Sequence, residues 1–142
     1  MGMKMDENKR WELGLCDFRV AYRFFTQEEG GRMNPALQGY RSDWCYADDY
    51  AAWEANEQQG SLQIYMIHPW GVDEYGLEYS PHELMPSEGL ADMRIFTEQM
   101  RLVHRKKIKV GVKGYFVEGS RRVAEAEVVD ILYLNHDFGD LD

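Results

Sequence analysis

The sequence predicts an all-β domain, on three observations. Aromatic residues make up 13% of the 142 residues, and Tyr, Trp and Phe fit the half-buried face of a pleated sheet. Several runs alternate apolar and polar side chains with the period of a strand. Glycine-rich turns separate those runs, with little secure helix between them. This pattern points to a β-barrel or sandwich. A closed barrel would also hide the sheet edges that an aromatic-rich chain must otherwise shield.

Residues 1–14 are expected to form a loosely held N-terminal extension, because they are mostly polar and charged. The first strand is predicted over residues 17–26, where Phe18, Val20, Tyr22 and Phe24 alternate with more polar neighbours. It ends at Glu28-Glu29-Gly30-Gly31-Arg32, and Asn34-Pro35 and Gly39 punctuate the irregular connection that follows. Residues 44–47 read as a second strand. Residues 48–60 are acidic and rich in Gln and Asn, as a surface loop would be, although Tyr50, Ala51, Trp53 and Ala55 can support one short helix. Residues 61–67 predict a third strand. Residues 68–89 read as an extended excursion, because Pro69, Pro81 and Pro86 oppose a long regular element.

Residues 90–103 carry two periods. Leu90, Met93, Phe96, Met100 and Val103 lie near helical spacing, while Met93, Ile95 and Thr97 alternate. Two strands follow over residues 108–117 and 122–134, joined by a tight turn at Glu118-Gly119-Ser120. Residues 135–142 form an acidic tail.

The formal net charge is −9. Lys and Arg contacts to phosphate dominate nucleic-acid affinity, so such a chain is a poor general RNA or DNA binder. Arg101, His104, Arg105, Lys106, Lys107 and Lys109 form one basic cluster, expected to be a solvated hairpin end. Cys16 and Cys45 have no metal-ligand spacing and imply no disulfide framework. A reducing, cytoplasmic setting is expected, with no signal peptide or membrane span.

Two blocks carry a family resemblance. The first runs from Arg23 through Glu28-Glu29-Gly30-Gly31-Arg32 to Asn34-Pro35 and Gly39-Tyr40-Arg41-Ser42-Asp43-Trp44. The second is Gly111-Val112-Lys113-Gly114-Tyr115-Phe116-Val117-Glu118-Gly119-Ser120-Arg121-Arg122-Val123. Both resemble the C-terminal barrel domain of translation elongation factor Tu, which shows E-E-G-G-R, a proline, G-Y-R-P-Q-F, and a G-L-R-F-A-I-R-E-G-G-R-T-V hairpin in that order. The similarity covers residues 18–47 and 111–132. Met85-Pro86-Ser87-Glu88-Gly89 is similar to the family's M-P-G-D turn, which would make residues 92–101 a strand.

The resemblance implies a closed antiparallel Greek-key β-barrel over residues 15–134, with an extended loop insertion at about 48–90. It also implies surfaces that bind rather than react. In the family this domain packs on the GTPase domain, contacts the nucleotide-exchange factor and touches the T-stem of aminoacyl-tRNA. No G-x-x-x-x-G-K-[ST] phosphate loop occurs in these 142 residues, so GTP is not expected as a ligand. Glu118-Gly119 matches a T-stem contact, but Asp43 stands where the family has Gln, and a carboxylate repels phosphate. Ala47 replaces an arginine that helps hold the GTPase domain.

The candidate partner-binding residues are therefore Arg32, Arg41, Asp43, Trp53, Trp70, Tyr75, Tyr79, Glu118, Gly119 and Arg121. Arg32 and Arg41 can anchor a partner carboxylate or cap loop carbonyls within the fold. The aromatics of the acidic insertion can centre a protein interface or cover a barrel mouth. His68, His82, Asp73, Glu74 and Glu83 match no zinc pattern and read as loop residues. No catalytic residue, cofactor or metal is expected. The reading is a non-catalytic protein-interaction module with a protein partner. A translation-associated accessory touching tRNA, ribosome or exchange factor is the alternative, and a small hydrolase using His68 or His82 is a distant third.

Overall fold

The computed structural model describes residues 6–55 and 60–138. Apolar alternation produces the first strand, β1 (Phe18–Phe24), which buries Phe18, Val20 and Tyr22 and exposes Ala21. The other strands are β2 (Asp43–Tyr46), β3 (Ile67–Val72), β4 (Glu88–Ile95), β5 (Lys113–Glu118) and β6 (Arg121–Ile131). Three short helices accompany them: α1 (Glu7–Glu12), α2 (Ala47–Glu54) and α3 (Glu98–Arg105). The six strands form one antiparallel sheet, ordered β2-β5-β6-β1-β4-β3 and curled as a half-barrel. Trp44 of the edge strand β2 exchanges backbone hydrogen bonds of 2.9 and 2.8 Å with Tyr65, which precedes the other edge strand β3.

The main core gathers Phe18, Val20, Tyr22, Trp44, Met93, Ile95, Phe116, Val123 and Val128. Trp44 fits because β5 has no side chain at Gly114, where a Cβ would lie 2.3 Å from the indole. The β5–β6 register shifts between Phe116 and Val117. That irregularity sits where two successive residues are fully buried: Phe116 in the main core, Val117 in a smaller cluster with Cys45 and Tyr50. Trp53 packs against this second cluster, so α2 roofs this part of the sheet.

The largest fully buried polar side chain among the described residues is Arg101 of α3, with 0% exposure. Its Nε donates to Asp17 at 2.6 Å, and its two terminal nitrogens donate to Glu98 and to the carbonyls of His136, Tyr133 and Leu134. Every guanidinium N–H thus has an acceptor. The second Asp17 oxygen accepts from the Ile95 N–H at 2.8 Å. One ion pair therefore binds α3, the end of β4, the start of β1 and the segment after β6.

Several expectations are corrected here. Within the N-terminal stretch, residues 7–12 are not loose but form α1, capped by the Asp6 side chain on the Lys9 N–H, with Arg10 buried; residues 1–5 lie outside the described residues. The strand predicted at 61–67 is displaced to β3. Pro69 is tolerated there because β3 ends the sheet order, and a residue without an N–H can stand in an edge strand. Residues 67–72 of the expected excursion thus belong to the sheet. Residues 92–101 are not one strand: β4 stops at Ile95, and the Thr97 hydroxyl accepts from the Met100 N–H to start α3. The basic cluster is not a solvated hairpin end, since Arg101 and His104 are core groups. Of the acidic tail, residues 139–142 lie outside the described residues.

Two predictions follow from these buried charges. Asp17→Asn removes the buried carboxylate from Arg101 and leaves it only the half-exposed Glu98 at 2.8 Å, and urea unfolding should show a loss of about 3 kcal/mol. A loss below about 1 kcal/mol would remove the pair from its structural role. His104 packs between Tyr46 and Tyr65, with Nδ1 2.7 Å from the Tyr46 hydroxyl and no partner for Nε2. Burial first, then Lys107, pushes its imidazole down to about 4. The unfolded chain takes up this proton near pH 6.5, so stability is full above about 6.5 and falls as pH drops toward 4, by about 3 kcal/mol. Comparing urea midpoints of the wild type and His104→Gln across that window should show a flatter profile for the variant.

Candidate functional site

The two turns that carry the sequence motifs meet in space. The connection after β1 folds over itself, with the Gly31 N–H donating to the Thr26 carbonyl at 2.8 Å. A Cβ at Gly31 would lie 2.1 Å from the Phe25 carbonyl oxygen, so only glycine fits. From the β5–β6 hairpin, Arg121 donates to the Gly30 and Gly31 carbonyls. Arg32 reaches in the opposite direction to Glu118, lying over the Tyr40 ring whose hydroxyl donates to the same carboxylate. Burial works to raise the Glu118 carboxyl, yet Tyr40 and Arg32 hold it below the usual range. Arg23 adds a fork to Glu29 at 2.8 and 3.0 Å and pairs with Glu125 across the strands at 3.0 Å. Arg23 and the Thr26 N–H hold Glu29 down to about 2.

Arg32, Glu118 and Arg121 are thus joined to one another's turns, and their side chains are engaged within the fold. Gly119 supplies the positive φ of 61° at the hairpin tip. Asp43 opens β2 opposite Val117. Trp53 is a packing residue beside Tyr50, at 5.5 Å between rings. Tyr79 lies against Gly71 and accepts from Gln38 through its carbonyl. Of the four candidate aromatics, Tyr75 alone is broadly exposed, at 80%.

Trp70 and Arg41 meet in a separate groove of about 580 Å³, together with Trp11, Tyr40, His68 and Arg94. The His68 Nδ1 lies 2.8 Å from the Ser42 carbonyl, so it carries the proton and donates. His82 is exposed on its loop, at a positive φ of 66°. Burial pushes the Cys16 thiol up to about 12 and the Cys45 thiol up to about 11, so neither is a ready nucleophile. Arg105 is also engaged internally, with Leu134 and His136 carbonyls at 2.7 and 3.0 Å. The remaining lysines lie near the start of β5, whereas Glu118-Gly119 lies at its other end.

Sequence reasoning missed an apolar surface. Met33, Leu37 and Leu84 are 77%, 43% and 60% exposed, and Leu37 bridges Leu84 across two loops. Beside them runs a groove of about 450 Å³ lined by Phe24, Phe25, Met33, Pro35, Leu84 and Met85. The available signal was large apolar residues inside Pro- and Gly-punctuated loops, where solvated connections ordinarily carry polar side chains.

These features define a small antiparallel β protein with stapled turns and surface grooves. No protein-family model matches the chain, and no curated protein matches it. No helix among the described residues is long and apolar enough to cross a membrane.

Gly31→Ala should destabilise the turn by about 2–3 kcal/mol, because the clash is with backbone and cannot be relieved by a rotamer change. Arg121→Ala removes the caps from two carbonyls and should cost about 1–2 kcal/mol. Thermal unfolding of both variants checks the order: Gly31→Ala is expected to melt lower.

Proposed function

We propose that the chain is a non-catalytic protein-interaction module on a closed antiparallel Greek-key barrel like the C-terminal domain of elongation factor Tu. The observation that carries the interaction reading is the exposed apolar patch of Met33, Leu37 and Leu84 beside its groove. Contiguous apolar surface rimmed by polar residues is characteristic of protein interaction sites. The turn bearing Met33 is held by Arg121 and Arg32, so the patch is presented in a preformed shape. The Trp44–Tyr65 bridge between the sheet edges supports barrel closure, and the meeting of the two motif-bearing turns supports the likeness.

The partner in this reading is a protein rather than RNA. The net charge of −9 opposes phosphate, and Arg101, His104 and Arg105 of the basic cluster face inward, leaving Lys106, Lys107 and Lys109 exposed. The cytoplasmic setting belongs to the same proposal, with Cys16 and Cys45 as buried free thiols.

Affinity purification of the tagged chain from its native cell should return a stoichiometric protein partner. A Met33→Glu/Leu84→Glu double variant should melt like the wild type and lose that partner. Recovery of the wild-type chain alone, or undiminished capture by the double variant, would defeat the assignment of the patch. Filter binding with tRNA at low salt should show no retention; retention would favour the translation-associated alternative.

A further inference from the structure

The groove around Trp70 holds an unmet charge that the interaction surface does not use. Arg94 of β4 lies over two indoles, its guanidinium carbon 4.0 Å from the Trp70 ring centre and 5.3 Å from that of Trp11. Its side chain is only 13% exposed, yet Nε has no hydrogen-bond partner. Among the described residues the one carboxylate in ion-pair reach is Glu78, at 3.9 Å. The Cys16 thiol is a further neighbour, and sulfur is a weak acceptor. By contrast Arg19, Arg23 and Arg101 hold carboxylates at 2.6, 2.8 and 2.6 Å. Arg10 is also incompletely paired, but it lies against Phe138 and does not line this groove.

A desolvated guanidinium without an acceptor is costly, and the cost falls when an anion arrives. The Arg94 guanidinium lies over two indole rings, and its unpaired Nε–H belongs to a fork that matches the two oxygens of a carboxylate. The indole N–H groups of Trp11 and Trp70 also have no acceptor, and Arg41 stands at the groove with no ion pair among the described residues. Trp11, Tyr40 and Trp70 offer flat apolar walls, and about 580 Å³ suits a small ring. Glu12 and Glu78 line the same groove and disfavour a doubly charged phosphate.

We propose that this groove binds small aromatic monocarboxylates, the ligand carboxylate displacing Glu78 at the Arg94 edge and the ring lying against the indole walls. The site stands independently of the Met33 patch, and either reading can fail alone.

Fluorine NMR on the full chain tests it, with 4-fluorobenzoate as probe and the neutral 4-fluorobenzamide as control. Saturable binding of the carboxylate is expected with Kd at or below about 1 mM. The amide should bind about tenfold more weakly. Glu78→Gln removes the competing carboxylate and should tighten benzoate binding about threefold with an unchanged melting temperature, since Glu78 is largely a surface group. Arg94→Gln should abolish binding; because that variant can disturb packing, Arg41→Gln, at an exposed position, provides a second loss. Absence of saturation, equal affinity for acid and amide, or no tightening in Glu78→Gln overturns the proposal.

Discussion

The fold hangs on the buried pair of Asp17 and Arg101. Both side chains are fully removed from water, so their charges are tolerated only because each is surrounded by partners. Arg101 reads the carbonyls that follow β6, while Asp17 ties the chain before β1 to the end of β4. Three pieces of chain distant in sequence are thereby fixed in one register. The pair also explains why α3 docks although its sequence is strongly charged. The helix buries Arg101 and His104, while Leu102 and Val103 remain on its solvent side.

Arginine organises the opposite end of the molecule in a different way. There Arg23, Arg32 and Arg121 staple two turns through partly exposed carboxylates and backbone carbonyls. Such contacts individually contribute little in water. Their value is geometric, because a turn with several forked donors on it has few alternative shapes. The same contacts withdraw positive charge from the surface of an already acidic chain. Lysines and acidic side chains are left to set the outer field of a chain with a net charge of −9.

Against this economy Arg94 stands out. It shares the burial of the structural arginines without their carboxylates, and it is walled by aromatic side chains instead of backbone. Its guanidinium lies over both Trp70 and Trp11, a placement suited to the ligand contact proposed for it. The Met33 patch has the complementary character: apolar, exposed, and held in place by ion pairs on its flank. Two surfaces of different chemistry thus occupy one small sheet.

Alternation alone specified β1 and most of β6, because a one-residue slip would expose Phe18, Val20 and Tyr22 together. The glycine turns were equally legible: Gly30, Gly31 and Gly119 stand where backbone geometry excludes a side chain or requires positive φ. The sequence could not show that Arg101 is core while Lys106 is surface, since burial of a charge depends on an acceptor 84 residues away. Nor could it separate strand from helix around Thr97, where both periods coincide and the hydroxyl cap decides. The pairing of Trp70 with Trp11 and Arg94 joins three segments remote in sequence. Only the tertiary fold brings them together, because neither periodicity nor spacing encodes contacts between distant segments.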